Sequence, residues 1–368
     1  MILEERDQTA FHSLAARLEV LFGRGPDQAW TDEEFGALAL EVFEVQFTSN
    51  VVYRGFCEGR GVTSACVDDW REIPAVPTRA FKHLDLLSAS PAEATFQTSG
   101  TTSDLGLRGR HLIPRVSLYE ASLLPCFSAH LMPEGKSLRF ISLIPDPEDA
   151  RGSSLSYMVG AAARRFASRT DYVVDGSGVV DHGVLAAALA DAQAAAEAVL
   201  MLGTAFAFMN VMEHSDVCLG PLPQGSRIME TGGFKGRGRA VPRDELYEAM
   251  SRATSVPVER IVNEYGMTEL LSQLYEPVLT GESLGCGHIA PPWLQVRAVD
   301  PTTLRELPEG EAGLLTFFDL ANAGSVAHIL TEDFGAVRDG RVFLEGRAAG
   351  AEPRGCSRAM DELMAVAR

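Results

Sequence analysis

From Ala94 to Asn263 the chain alternates between short apolar runs and longer stretches with helical character, and that alternation restricts its architecture more than any other feature. Strand candidates fall at Ala94–Gln97, Leu138–Ile144, Tyr172–Val174, Ala198–Leu202, Arg227–Glu230 and Ile261–Asn263. Helix candidates fall between them, at Val184–Ala198, from Gly203-Thr204 to about His214, and at Glu245–Ala253. Parallel neighbours need a crossover of a dozen residues or more, so strands separated by helices imply an α/β fold with largely parallel sheets. From about Leu284 the pattern changes. Leu294–Val299, Gly313–Asp319, Ala327–Thr331 and Arg341–Leu344 read as short strands, with turns at Pro301, Pro308-Glu309-Gly310 and Asp339-Gly340. The expected organisation is a core over residues 1–345, α/β to about 283 with a small β subdomain at 284–345, then a short tail at 346–368. The core begins with helices: Phe11, Leu14, Leu18 and Phe22 recur at helical spacing, Asp32-Glu33-Glu34 reads as a second start, and Leu38, Val42, Val45 and Phe47 form a third pattern ending near Asn50.

Composition narrows the partners. A formal net charge of −18 argues against a nucleic-acid backbone, which needs an excess of Lys and Arg. The longest apolar stretch, Ala198 to Met212, is shorter than a membrane span and is broken by Gly203, Thr204 and Asn210. The N-terminus, Met1-Ile2-Leu3-Glu4-Glu5-Arg6-Asp7, is acidic and unlike a secretory leader, so the six cysteines are expected as free thiols in a reducing cytoplasm. Cys286-Gly287-His288 has no second ligand pair in metal-site spacing. Only Lys82, Lys136 and Lys235 are lysines, which restricts the choice of a catalytic lysine.

Five segments hold chemistry-bearing residues. Thr98-Ser99-Gly100-Thr101-Thr102-Ser103 follows a strand candidate, and its amides and hydroxyls suit a phosphate; it lacks the Gly-Lys-Ser/Thr of a Walker loop, and as a bare Ser/Thr/Gly run it also suits a plain turn. Thr231-Gly232-Gly233-Phe234-Lys235 offers a glycine pair that permits close backbone approach, or an ordinary turn with a solvated lysine. Glu264-Tyr265-Gly266-Met267-Thr268-Glu269 puts an aromatic ring, a hydroxyl and a hard carboxylate within one connection; the same residues suit a strand-to-helix turn with Glu269 in a first helical turn. Asp333, in Thr331-Glu332-Asp333-Phe334-Gly335, suits two sugar hydroxyls or a turn. Cys356 stands between Arg354 and Arg358, cations that favour a thiolate; an inert thiol is the equal alternative.

Taken in order, these segments resemble the adenylate-forming superfamily. Thr98–Ser103 is similar to the phosphate loop Thr-Ser-Gly-Thr-Thr-Gly, with Ser103 in place of the last glycine. Gly232-Gly233 is similar to the segment that packs along the adenine. Tyr265-Gly266-Met267-Thr268-Glu269 is similar to Tyr-Gly-x-Thr-Glu, which implies adenine stacking by Tyr265, an α-phosphate contact from Thr268 and Mg²⁺ at Glu269. Asp333 matches the ribose-binding aspartate of Thr-Gly-Asp-Leu-Gly, with Glu332 adding a charge where the family has glycine. Gly346-Arg347 is similar to the hinge before the family's mobile second domain, which bears a catalytic lysine. Here no lysine follows Lys235, and that large C-terminal domain is expected to be absent. Lys235, Arg347 and Lys82 then become the candidate catalytic cations beside ATP and Mg²⁺.

The short end bearing Cys356 narrows the likeness to the acyl-protein synthetases of the bacterial luminescence fatty-acid reductase system. Phe47–Cys57, Ile73–Lys82, Ser153–Met158 and Ala290–Trp293 also resemble that family. The resemblance implies activation of a carboxylic acid, of the fatty class, to acyl-AMP. The acyl group then passes to Cys356, presented on a flexible tail to a partner acyl reductase. An acyl- or aryl-CoA ligase of the phenylacetate-CoA ligase-like type, and a non-catalytic nucleotide-binding partner, are the alternatives.

Overall fold

The computed structural model describes residues 5–98, 107–214, 217–232, 241–347 and 353–367. They divide into two compact units, one made of Met1–Pro125, Met267–Gln273 and Gly287–Arg368, the other of Cys126–Gly266 and Leu274–Cys286.

The first unit begins with helices α1 (Glu5–Phe22), α2 (Asp32–Ser49) and α3 (Val51–Gly59). Thr31 and Glu34 close a capping box that starts α2, and Phe35, Ala39, Val42, Phe43 and Gln46 then keep one continuous buried face. That continuity is why the second and third helical patterns of the sequence are a single helix. Asn50 ends α2 and caps α3, accepting the Tyr53 amide at 3.0 Å. Strand β1 (Val76–Pro77) follows, then an antiparallel hairpin of β2 (Ala94–Gln97) and β3 (Arg110–Ile113), then α4 (Val116–Leu131).

The second unit is α/β. Strands β4 (Leu138–Ser142), β5 (Ala167–Tyr172), β6 (Val199–Thr204), β7 (Arg227–Thr231) and β8 (Ile261–Tyr265) are parallel, in the order β8-β7-β6-β4-β5. Helices α5 (Ser154–Phe166), α6 (His182–Ala195), α7 (Ala205–His214) and α8 (Arg243–Thr254) alternate with them. Ile141, Val199, Met201, Phe208, Ile228, Met250 and Ile261 belong to its core. Strand β5 lies upstream of the expected Tyr172–Val174, because this edge strand, Ala-Ser-Arg-Thr-Asp-Tyr, has no apolar run to announce it. Strand β8 extends through Tyr265, since the short antiparallel β9 (Leu274–Tyr275) pairs back onto Glu264 and Tyr265.

The first unit resumes with β10 (His288–Ile289), β11 (Leu294–Val299), β12 (Gly313–Asp319), β13 (His328–Arg338) and β14 (Arg341–Arg347). They form an antiparallel sheet in the order β11-β12-β13-β14-β10, with β1 parallel to β13. The N-terminal helices belong to this unit. Phe35 meets Phe318 edge-on at 5.9 Å, and the Gln46 amide donates to the carbonyls of Asn322 and Ala323 at 3.0 and 3.2 Å. Residues 354–366, expected as part of a flexible tail, form helix α9 (Arg354–Val366). Cys356, Ala359 and Leu363 recur at helical spacing and make its buried face. Among the described residues no helix is long and apolar enough to cross a membrane.

Candidate active site

Of the Thr98–Ser103 loop, only Thr98 is described. It continues from β2 as the sequence implies. Its amide donates to the Gly109 carbonyl at 2.9 Å, and its Oγ1 accepts the Gly109 amide at 2.8 Å. Ser99, Gly100, Thr101, Thr102, Ser103, Gly233 and Lys235 lie outside the described residues.

In the second unit, the ends of β7 and β8 hold a buried polar network. Thr231 donates its hydroxyl to Glu264, directly before Tyr265. Glu230 accepts the Asn263 side-chain amide at 2.5 Å and the Tyr247 hydroxyl at 3.3 Å. Burial pushes the Glu230 carboxyl up to about 7, against the lowering effect of the Asn263 hydrogen bond and of the Arg243 charge. Arg243 pairs with the buried Glu276, which also accepts the Gly285 amide at 2.7 Å. Gly232, just past β7, has φ of 69°, a conformation that suits glycine. Tyr265 is the last residue of β8 and is half-buried, and Gly266 is exposed.

Thr268 and Glu269 lie in the first unit, in a connection without helix or strand, so Glu269 is not in a first helical turn. Other elements fix its main chain. His111 of β3 donates from Nδ1 to the Thr268 carbonyl at 2.8 Å; burial drives its pKa down to about 4, so the ring is neutral and Nδ1 carries its proton. The Asn322 side-chain amide donates to the Glu269 carbonyl at 2.8 Å. Asp319, at the end of β12, accepts the Leu271 and Ser272 amides at 3.0 and 2.9 Å and the Ser272 hydroxyl at 2.7 Å. Complete burial raises the Asp319 carboxyl to about 6 in spite of these donors. Glu269 is 9% exposed and offers a hard oxygen donor of the kind Mg²⁺ takes alongside nucleotide phosphates. Among the described residues no three His, Cys, Asp or Glu side chains gather into a metal-binding group.

Asp333 is inside β13, where the sequence suggested a position between a strand and Gly335. It is paired in register with Arg347 of β14, and the Arg347 Nε lies 3.3 Å from its carboxylate. The hinge candidate Arg347 is therefore placed on the ribose candidate Asp333. A bulge between Phe334 and Gly335 shifts the register. A Cβ on Gly335 would overlap the Phe343 carbonyl oxygen, so the closeness of the two strands demands glycine there. Opposite Phe334, Gly346 has φ of 106°, which L side chains avoid. The charged Glu332 stands 3.9 Å from Arg79.

Cys356 is 2% exposed, in the first turn of α9. It packs with Val299, Leu314 and Leu330, and its Sγ lies 3.9 Å from the Thr331 carbonyl. The thiol expected on a flexible tail is corrected to a thiol seated against β13. Its flanking cations point elsewhere: Arg354 is exposed, and Arg358 lies 3.8 Å from Glu362 on its own helix.

His111, Asp319, Asn322 and Glu230 were not foreseen. Their partners are far away in the chain, and the one local sign is that the apolar strand Gly-Leu-Leu-Thr-Phe-Phe closes on the acidic Asp319.

Comparisons with known proteins bear on the fold and the family. A solved 2-hydroxyisobutyryl-CoA ligase, in complex with 2-HIB-AMP and CoA, shares the fold with a TM-score of 0.63 at 15% identity, covering 86% of this chain and 69% of that one. ATP-bound MatB from Rhodopseudomonas palustris matches with a TM-score of 0.51 at 15% identity, over 78% of this chain and 51% of the other, so the chain spans about half of that structure's length. The α/β fold is thus that of adenylate-forming enzymes. Two curated relatives are described as long-chain-fatty-acid–luciferin-component ligases. The one from Vibrio harveyi is 25% identical over 89% of this chain and 87% of its own length. The one from Aliivibrio fischeri is 24% identical over 85% and 82%. The sequence model of the family described as "Acyl-protein synthetase, LuxE" matches residues 27–365, and the chain belongs to that family of ligases.

Proposed function

We propose that this acyl-protein synthetase joins a long-chain carboxylic acid to AMP at the expense of ATP and then takes the acyl group onto Cys356 for delivery to an acyl reductase. In the first step a carboxylate oxygen attacks the α-phosphorus, the bond to the leaving pyrophosphate breaks, and a mixed anhydride forms. In the second, the Cys356 sulfur attacks the acyl carbon, the bond to the AMP oxygen breaks, and the thiol proton passes to solvent. The names of the two curated relatives support the fatty class of acid and the connection to a luminescence system.

The observation that carries the reading is the seat of Cys356 against the Thr331 carbonyl, two residues before Asp333 on the same strand. Asp333 is the family-matched carboxylate for the ribose hydroxyls, and Arg347 beside it supplies positive charge near the nucleotide. Tyr265 is assigned to the adenine face, Thr268 to the α-phosphate, and Thr98–Ser103 with Lys235 to the departing phosphates. Mg²⁺ suits Glu269, where it would neutralise phosphate charge. Since Cys356 is buried, acyl transfer requires α9 to leave its seat at least in its first turn.

Acid-dependent exchange of pyrophosphate into ATP, followed by intact-mass analysis with a panel of short, long and aromatic acids, tests this function. The expected result is exchange with long-chain acids and a hydroxylamine-labile mass gain that Cys356→Ser abolishes while exchange continues. A label that stays in that variant, or turnover that forms acyl-CoA alone, would replace the reading with a CoA ligase. ATP binding without exchange would point to a non-catalytic partner.

A further inference from the structure

The segment Thr268–Ser272 is held by three side chains brought from elsewhere in the first unit. It has no helix or strand of its own, and its Leu270 amide donates to the carbonyl of the preceding Met267 at 3.2 Å. An unstructured connection of this kind is expected to sample many conformations, at a cost of roughly 1–2 kcal/mol for each residue fixed. Here four of its five residues are tied from outside: the Thr268 carbonyl to His111, the Glu269 carbonyl to Asn322, and the Leu271 and Ser272 amides to Asp319.

The three holders are themselves immobilised. His111 is fully buried within β3, and its ring meets Phe81 edge-on at 5.3 Å. Asn322 also donates to the Val326 carbonyl at 3.2 Å. Asp319 uses its second oxygen for the Ser272 hydroxyl at 2.7 Å and the Ala321 amide at 3.0 Å. The Ser272 hydroxyl also meets Ser122 at 2.8 Å, and Ser122 accepts the Trp293 indole N–H at 2.8 Å. All these groups bond main-chain atoms or Ser272. None is assigned to a reactant, and His111 and Asn322 hold Thr268 and Glu269 through their main-chain carbonyls.

We infer that His111, Asp319 and Asn322 are positioning residues for adenylation, a three-point clamp that sets Thr268 and Glu269 for the nucleotide phosphates and their cation. The inference rests on the proposed roles of Thr268 and Glu269. A buried carboxylate that accepts two successive amides suits this task, because it fixes peptide orientation more rigidly than apolar packing can. Displacing a reactive group by about 1 Å is enough to cost about 10²-fold in rate.

The test measures pyrophosphate exchange against ATP and Mg²⁺ concentration for His111→Phe, His111→Asn, Asp319→Asn and Asn322→Ala. Val42→Ala, in the core of α2, controls for general destabilisation. His111→Phe keeps a ring against Phe81 and deletes the donor; His111→Asn restores a donor of similar reach. The clamp predicts a fall of about 10- to 100-fold in kcat/KM for ATP in His111→Phe and Asp319→Asn, and a several-fold rise in half-saturating Mg²⁺. It also predicts partial rescue in His111→Asn and little change in Val42→Ala at equal loss of melting temperature. If His111→Phe does not fold, Asn322→Ala reads the same Mg²⁺ shift. Wild-type exchange that persists in these variants with unchanged ATP and Mg²⁺ dependence overturns the clamp alone. Wild type that exchanges with no acid removes the activity, and the clamp's purpose with it.

Discussion

The Sγ of Cys356 lies 3.9 Å from the main-chain carbonyl of Thr331, so the thiol assigned as acyl acceptor rests on the strand that carries Asp333. In this position it is shielded by Val299, Leu314 and Leu330. A thiol in this seat is sheltered from electrophiles for as long as its helix stays in place.

That shelter has a measurable sign. Cys66 and Cys218 are exposed, whereas Cys356 is buried. In the absence of substrates, Cys356 is expected to react with a charged disulfide reagent at least about 10²-fold more slowly than the exposed pair, because reaction requires local opening of α9. Addition of ATP, Mg²⁺ and a long-chain acid to Cys356-only protein is expected to change that rate. Mass-resolved labelling over time reads it, and fast labelling of resting Cys356 would contradict the seated thiol.

Glu269→Gln keeps the size of the side chain and the Asn322 bond to its carbonyl, but removes the negative charge. Exchange at limiting Mg²⁺ should fall by about 10²-fold or more, with partial recovery at high Mg²⁺ and an unchanged melting temperature. Full activity at limiting Mg²⁺ would move the cation to another ligand.

Gly335→Ala places a methyl group against the Phe343 carbonyl, where backbone has to yield. The expected cost is about 1–3 kcal/mol of stability, together with a higher KM for ATP, since the register that pairs Asp333 with Arg347 lies on the same bulge. Denaturant unfolding and ATP titration measure the two effects separately. An unaffected KM would detach Asp333 from the nucleotide.

Glu230 gives a pH signature. Its folded pKa, about 7, is above the ordinary 4.5, so the folded state holds a proton that the unfolded chain has lost. Its favourable contribution is complete below about pH 4.5 and is lost as pH rises through 7. Compared with Glu230→Gln, the wild type should therefore lose stability between about pH 5 and pH 8, by an amount on the order of 3 kcal/mol. Parallel unfolding curves for the two proteins across that range would show that Glu230 titrates normally.

The sequence displayed the fold wherever burial was two-sided. Val199–Thr204 and Arg227–Thr231 are buried central strands, and their apolar runs marked them. Leu294–Val299 and Gly313–Asp319 have the expected bounds. Edge strand β5 and helix α9 stayed hidden, the first because it is polar and the second because it makes its apolar face from Cys, Ala and Leu within a short, charged end. The family motifs marked Tyr265, Thr268, Glu269 and Asp333 because they are contiguous in sequence. The holders of that motif did not show, because His111 and Asp319 act across 157 and 48 residues of chain on main-chain atoms that leave no trace in side-chain identity. The discontinuous first unit was hidden for the same reason: Gln46 and Asn322 are partners across 276 residues.

That long reach has a consequence for biosynthesis. A ribosome adds about 5–20 residues per second, so the helices bearing Phe35 and Gln46 emerge tens of seconds before Phe318 and Asn322 exist. During that interval the apolar face of α2 has only part of its native cover, Trp70 against Phe35 and Tyr53 against Phe43, while the second unit, whose parallel strands are consecutive in the chain, can assemble. The nascent chain is therefore expected to expose the rest of that face until the last strands are made, and a holding chaperone that binds apolar helices would raise the yield of active protein without altering its final stability.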